Sequence, residues 1–277
     1  MDVGRDVAVA GGRVVRVHEA GAGERVLVWH HGSPQTGALL DPVVRACAER
    51  GVRLISYGRP GYGGSTPDPG RVVASAADDV ARVADALGVD RFAVMGASGG
   101  GPHALACAAA LPDRVVGAVC LAGVGPYTEE FDWFAGMAAP GALRAAVAGE
   151  RAAFEEEFDP ESFTGADWAA LAGEWRCLGE DAQRAGEDGD EGEVADDEAF
   201  VRPWGFDLAD VTGRVLLVQG DEDRVVPPSH AAWQHARLPA SDLLVRAGDG
   251  HISVLRAVPD ALDWLWPADQ GQAPGSQ

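Results

Sequence analysis

Residues 92–104 read Phe92-Ala93-Val94-Met95-Gly96-Ala97-Ser98-Gly99-Gly100-Gly101-Pro102-His103-Ala104. The continuous apolar run Phe92 to Met95 has the length and character of a strand buried on both faces, and the Ala-rich stretch Gly101 to Leu111 behind it has the length of a helix. Between them, one serine falls at a strand-to-helix turn. A turn that lifts a hydroxyl clear of a sheet strains the residue that carries it, and it leaves no room for side chains two positions to either side. Those positions hold Gly96 and Gly100. The helix that follows directs its positive end and its free amides at Ser98. With 37 glycines and ten serines in the chain, Gly-x-Ser-x-Gly arises by chance roughly 0.2 times. The pattern alone therefore does not separate a nucleophile from a helix-capping serine or a phosphate-binding loop.

Working outward, the same rhythm recurs. Val26 to Trp29, Val52 to Ile55, Val115 to Leu121 and Val215 to Val218 are short apolar runs, and Ala38 to Arg50 and Val72 to Leu87 are helix-length stretches between them. Parallel neighbours need a crossover and a helix is the usual one, so the alternation predicts a mostly parallel α/β sheet of about eight strands flanked by helices. Val7 to Ala10 and Arg13 to His18 alternate apolar and polar residues across Gly11-Gly12 and predict an opening antiparallel ribbon. Residues 1–125 and 204–268 form the expected core of one domain. Residues 126–203 break the rhythm with clustered acids and tryptophans and are expected as an inserted helical cap. Between Glu155 and Glu198 there are 17 acidic residues against Arg176 and Arg184. Gly186 to Asp197 is expected as a solvated, mobile loop. The insertion follows a strand's carboxyl end, where open α/β sheets bind ligands, which favours a lid over a surface excursion without a role. Residues 269–277, a Gly/Gln/Pro-rich tail, are expected to be disordered.

The 277 residues carry a net charge of −21, with 22 basic and 43 acidic residues. That balance repels phosphate backbones and anionic lipid surfaces, so neither nucleic acid nor membrane is an expected partner. No basic stretch leads into an apolar run at the start and no span of some 18 apolar residues occurs, which predicts a cytoplasmic protein. Cys47, Cys107, Cys120 and Cys177 are scattered among apolar neighbours without close pairs, so free buried thiols are expected and no metal site.

Three further signals follow predicted strands. His30-His31-Gly32-Ser33-Pro34 is a turn that can present the Ser33 amide to a developing oxyanion, paired with the amide of Gly99, the residue after Ser98. A histidine before such a turn braces the loop, and neither His30 nor His31 is read as a base. Gln219-Gly220-Asp221-Glu222-Asp223 places three carboxylates at a strand's carboxyl end, any of which can hold an imidazole. Ala247-Gly248-Asp249-Gly250-His251 puts a histidine on a Gly-rich loop near the end of the chain. Serine, acid and histidine, each after a strand and in that order, form a set whose convergence outweighs its parts.

In these motifs the sequence resembles the α/β-hydrolase superfamily, over about residues 7 to 266, in the branch with a His-Gly-x-Pro oxyanion turn (His31, Gly32, Pro34) and a helical cap after the sixth strand. The resemblance implies Ser98 as nucleophile and His251 as base. It implies Asp223 as the acid, through the run Gly220 to Pro227, with Asp221 as fallback. Arg59-Pro60-Gly61-Tyr62-Gly63-Gly64-Ser65 resembles a family loop, although Gly58 stands where an Asp is common. A serine in the elbow argues against the dehalogenase and epoxide-hydrolase branches. The expected function is cofactor-free hydrolysis of a small apolar carboxylic ester through an acyl-enzyme. The same triad admits perhydrolysis or haloperoxidation, opening of lactones, cleavage of amides or carbon–carbon bonds, and a receptor that does not turn over. Phe131, Trp133, Phe134, Phe154, Trp168 and Trp175 read equally well as the lining of a substrate pocket and as the cap's own core.

Overall fold

The computed structural model describes residues 4–150 and 159–267. Phe154 and the expected disordered tail lie outside them. The chain runs β1 (Arg5–Ala8), β2 (Val14–Ala20), β3 (Arg25–His30), α1 (Asp41–Ala48), β4 (Val52–Tyr57), α2 (Ser75–Ala86), β5 (Phe92–Ala97), α3 (Gly100–Ala110) and β6 (Val115–Leu121). Four helices follow, α4 (Gly141–Ala148), α5 (Gly165–Ala172), α6 (Arg176–Glu187) and α7 (Glu191–Val201). The chain then closes with β7 (Val215–Gly220), α8 (Pro228–His235), β8 (Ser241–Arg246) and α9 (Val258–Leu265).

Among the described residues, the eight strands join one sheet in the order β1-β2-β4-β3-β5-β6-β7-β8. The β1–β2 and β2–β4 pairs are antiparallel, and the remaining pairs are parallel. Strict alternation along each buried strand splits the core into two halves. Val94 of β5, Val28 of β3 and Leu217 of β7 face one side, while Met95, Trp29 and Leu216 face the other. This is why the central strands β3, β5, β6 and β7 read as near-continuous apolar runs: with helices on both faces, few of their side chains meet water. Each fully buried Val or Leu contributes on the order of 1.5–3 kcal/mol relative to exposure.

From β3 the chain steps outward to β4, then returns across β3 to β5 and continues in the opposite direction to β6. That reversal leaves a crevice beyond the carboxyl ends of β3 and β5, where ligands bind in open α/β sheets. The register pairs His30 with Gly96, so the turn after β3 and the elbow after β5 emerge at the same level.

The acidic region departs from its sequence reading. Gly186 to Asp197 is not a solvated loop: it spans the end of α6 and most of α7, and Asp196 is wholly buried. Clustered acids suggest solvation only when no cation meets them, and here Arg59 and Arg71, distant in sequence, do. Cys47, Cys107 and Cys120 are buried and Cys177 half-buried, all as free thiols. Burial pushes the thiols of Cys47 and Cys120 up to about 12.

Candidate active site

Ser98 sits just beyond β5 with φ of 52°, one of two non-glycine residues with positive φ among the described residues. Such strain costs roughly 1–3 kcal/mol and persists only where the surroundings enforce it. Here the Ser98 amide donates to the Leu121 carbonyl (2.8 Å) and the Ser98 carbonyl accepts from the Gly101 amide (2.9 Å). The flanking glycines are obligatory on steric grounds. A Cβ on Gly96 would lie 2.1 Å from the Gly100 carbonyl oxygen, and one on Gly100 would lie 2.0 Å from that of His30.

His251 reaches the same point from the loop after β8. Its Nε2 lies 2.9 Å from Ser98 Oγ and its Nδ1 lies 2.9 Å from Asp223 Oδ2. With Asp223 ionised, Nδ1 carries the proton and donates it to the carboxylate, leaving Nε2 to accept from the serine hydroxyl. The rest of the carboxylate is occupied. Oδ1 accepts from the amides of Val225 and Val226, both at 2.9 Å, and Oδ2 accepts from Gln219 Nε2 at 3.1 Å. Burial lowers the His251 pKa, but the charge and hydrogen bond of Asp223, with the charge of Asp167 behind them, outweigh it and raise the value overall. Asp221 points elsewhere. It is exposed and accepts from the Gly248 amide at 2.7 Å.

The two histidines after β3 are structural. His31 Nε2 accepts from the Arg59 amide (3.0 Å), so its Nδ1 carries the proton and donates to the Gly32 carbonyl (2.6 Å). Burial, with Arg59 nearby, holds its pKa well below the usual range. His30 meets the Tyr57 hydroxyl at 3.1 Å and is likewise held neutral, chiefly by burial. Ser33 comes against Gly99: a Cβ on Gly99 would lie 2.5 Å from Ser33 Oγ. The Gly32 amide is taken up by Gln35 Oε1 at 2.7 Å. Gly32, Ser33, Pro34 and Ser98 thus gather at one edge of the crevice.

Above Ser98 lies a cavity of about 510 Å³, walled by Met137, Leu143, Phe163, Leu171, Leu178 and Val225 among others. Apart from His251, Glu193 is the one ionisable residue in that wall among the described residues. Burial first, then Asp196 and Asp190, raise its pKa. Of the aromatic residues singled out in the sequence, none of the five described lines the cavity. Trp133 and Trp175 are buried in the two core halves, Phe131 stacks on Trp233, Phe134 packs edge-on to Trp133, and Trp168 is 43% exposed.

Sequence reasoning missed a set of buried acids around the site. Asp167, Asp181 and Asp196 are each at most 1% exposed. Nothing in the sequence distinguishes them from the other acids of the same stretch, because what sets them apart is the donors that fold against them. Gly58, which stands in the loop after β4 where an Asp is common, also gains a reason. A Cβ there would lie 2.7 Å from the Tyr62 carbonyl oxygen and 2.8 Å from that of Thr36, so any larger residue would have to displace backbone; the buried acid that pairs with Arg59 is Asp196 of α7.

Comparison with known proteins places the chain. A bromoperoxidase from Bacillus anthracis superposes with a TM-score of 0.75 at 24% identity, over 95% of this chain and 99% of that one. An esterase from Exiguobacterium antarcticum gives 0.73 at 17%, over 95% and 99%. An enol-lactonase from Burkholderia xenovorans LB400 gives 0.73 at 17%, over 94% and 99%. At these identities the likeness is one of fold. Residues 25–257 also match the family described as alpha/beta hydrolase fold, well over half of the sequence. On that match, this chain belongs to the α/β-hydrolase fold family.

Proposed function

We propose that the protein is a serine hydrolase that cleaves small, apolar carboxylic esters through an acyl-enzyme on Ser98. The observation that carries this reading is the unbroken hydrogen-bonded chain from Asp223 through His251 to Ser98, ending in a largely apolar cavity. Neutral His251 takes the hydroxyl proton as Ser98 Oγ attacks the ester carbonyl. Asp223 holds the tautomer and stabilises the imidazolium that forms. The amides of Ser33 and Gly99 stabilise the tetrahedral oxyanion. His251 returns its proton to the leaving alcohol, and a water activated the same way releases the acid. Residues 126–203 act as a cap that supplies the far wall of the cavity, through Met137, Leu143, Leu171 and Leu178.

The decisive experiment is turnover of p-nitrophenyl esters of graded acyl length. Many turnovers per protein, best on short to medium chains, support the reading. Stoichiometric labelling without turnover would instead mark a receptor. Lactones belong in the same panel, since a ring ester needs no group beyond those named.

The pH profile carries a sign. His251 must be neutral to act, and its pKa lies above the usual 6.5 because Asp223 and Asp167 outweigh its burial. Activity is therefore expected to fall on the acid side with a midpoint above 6.5, and a midpoint well below that value would count against His251 as base. Stability runs the other way for this group. A pKa raised on folding contributes stability that is complete below the unfolded value and lost as pH rises through the folded one. The active form is thus the one without that contribution.

A further inference from the structure

The helices between β6 and β7 bury three carboxylates, one on each of α5, α6 and α7, and each accepts hydrogen bonds from a core loop at the site. Asp167 on α5 takes the amides of Ile252 (2.9 Å) and Ser253 (2.7 Å) and the Ser253 hydroxyl (2.9 Å) on Oδ1. Its Oδ2 takes the amide and hydroxyl of Thr164, at 2.9 and 3.0 Å, which also starts α5. Ile252 is the residue after His251. Gly250, the residue before it, passes so close that a Cβ would lie 2.1 Å from Asp167 Oδ2. The chain just after the imidazole is therefore held by this carboxylate, and Gly250 just before it packs against the same group while its amide donates to Ser253 Oγ at 2.8 Å.

Asp196 on α7 does the same for the turn after β3. It accepts from Ser33 Oγ at 2.6 Å, Arg59 Nη2 at 2.6 Å, Arg71 Nη2 at 2.6 Å and the Tyr62 hydroxyl at 2.9 Å. Arg59 passes the restraint on, donating to the carbonyls of His31 and Gly32. Asp181 on α6 accepts from the amide (3.0 Å) and hydroxyl (2.6 Å) of Thr36, three residues beyond Ser33.

A carboxylate withdrawn from water costs several kcal/mol unless charge and hydrogen bonds compensate it. Helices tied down in this way cannot swing out as a body without exposing or stranding three charges and their donors. Catalytic groups, for their part, need placement to within about 0.5 Å, which loops achieve only with support. We infer that α5 to α7 form a fixed clamp on the catalytic loops rather than a hinged lid, with Asp167 positioning the His251 loop and Asp196 positioning the Ser33 turn. This rests on the reading of Ser98 as a working nucleophile.

The clamp is tested in the full chain with Ser33→Ala and Asp167→Asn. Ser33→Ala keeps the main-chain amide and both Arg–Asp pairs and removes the hydroxyl that donates to Asp196 and accepts from Arg59 Nη2 at 2.9 Å. Asp167→Asn sets an amide donor among five donors. The readouts are kcat and KM on p-nitrophenyl butyrate, affinity for butylboronic acid as a tetrahedral adduct on Ser98, and Tm. Because small misplacement of reacting groups costs up to about 100-fold, kcat is expected to fall roughly tenfold for Ser33→Ala and about 10–100-fold for Asp167→Asn. KM should stay within about threefold, and the boronate should weaken in step with kcat/KM. Should Asp167→Asn fail to fold, Ser253→Ala, which removes one of the five donors together with the acceptor of the Gly250 amide, takes its place with a smaller loss of kcat.

Unchanged kcat in the folded variants, or a rise in KM alone, overturns the clamp. Turnover by the unaltered chain separates two failures. A chain that neither labels with a fluorophosphonate nor turns over removes the hydrolase reading, and the clamp with it. A working chain with indifferent variants removes the clamp alone.

Discussion

Ser98→Ala is expected to lower kcat by about 1000-fold or more on any ester the protein turns over, roughly 4 kcal/mol of lost transition-state stabilisation. The substitution deletes the atom that attacks the carbonyl and leaves the Ser33 and Gly99 amides and the cavity in place, so substrate should still bind and KM should move little. Folding should survive it. Alanine at a φ of 52° is strained about as much as serine, and the deleted hydroxyl takes with it only its hydrogen bond to His251 Nε2. Ser98→Gly makes a useful companion: it relieves the strained backbone and should raise stability by about 1 kcal/mol while being equally inactive. A folded alanine variant retaining a tenth of the activity would remove Ser98 as nucleophile. Steady-state kinetics with a thermal melt decide the matter.

The second large effect distinguishes two acids two residues apart. Asp223→Asn is expected to lower kcat by about 1000-fold or more, because an amide at that position cannot serve all its neighbours. If its oxygen faces the amides of Val225 and Val226, its NH2 faces His251 and favours the tautomer that carries the proton on Nε2, directed at the serine. If it is reversed, two amide donors oppose its NH2. Asp221→Asn should change kcat by less than about threefold, since an asparagine oxygen can still accept from Gly248 on the exposed side of the loop. Equal effects, or the larger one at position 221, would transfer the acid's role.

The α/β architecture was legible because of how its strands are buried. Val26 to Trp29, Phe92 to Met95 and Val215 to Val218 lie under helices on both faces, and such strands leave a continuous apolar signature. The elbow was legible for a local reason: Gly96 and Gly100 stand where a Cβ would strike backbone. Ser98, Asp223 and His251 were each visible as a chemical residue just beyond a strand, and the geometry unites the three. The helices α6 and α7 were not legible as packed structure. Their acid content suggests solvation, while distant partners of their buried acids, Arg59 and Arg71 for Asp196 and Thr36 for Asp181, lie more than a hundred positions earlier.

What the sequence determined by itself is therefore what rests on local stereochemistry and on burial patterns a few residues long: the strand–helix alternation, the serine elbow and the glycine-lined turns. The tertiary structure decided which members of equivalent sets matter. Asp223 rather than Asp221 meets the imidazole, and Asp167, Asp181 and Asp196, among the acids of one stretch, become buried anchors. The physical reason is the same in each case. A carboxylate's role depends on the donors and cations that surround it, and those partners come from distant parts of the chain that only folding brings together.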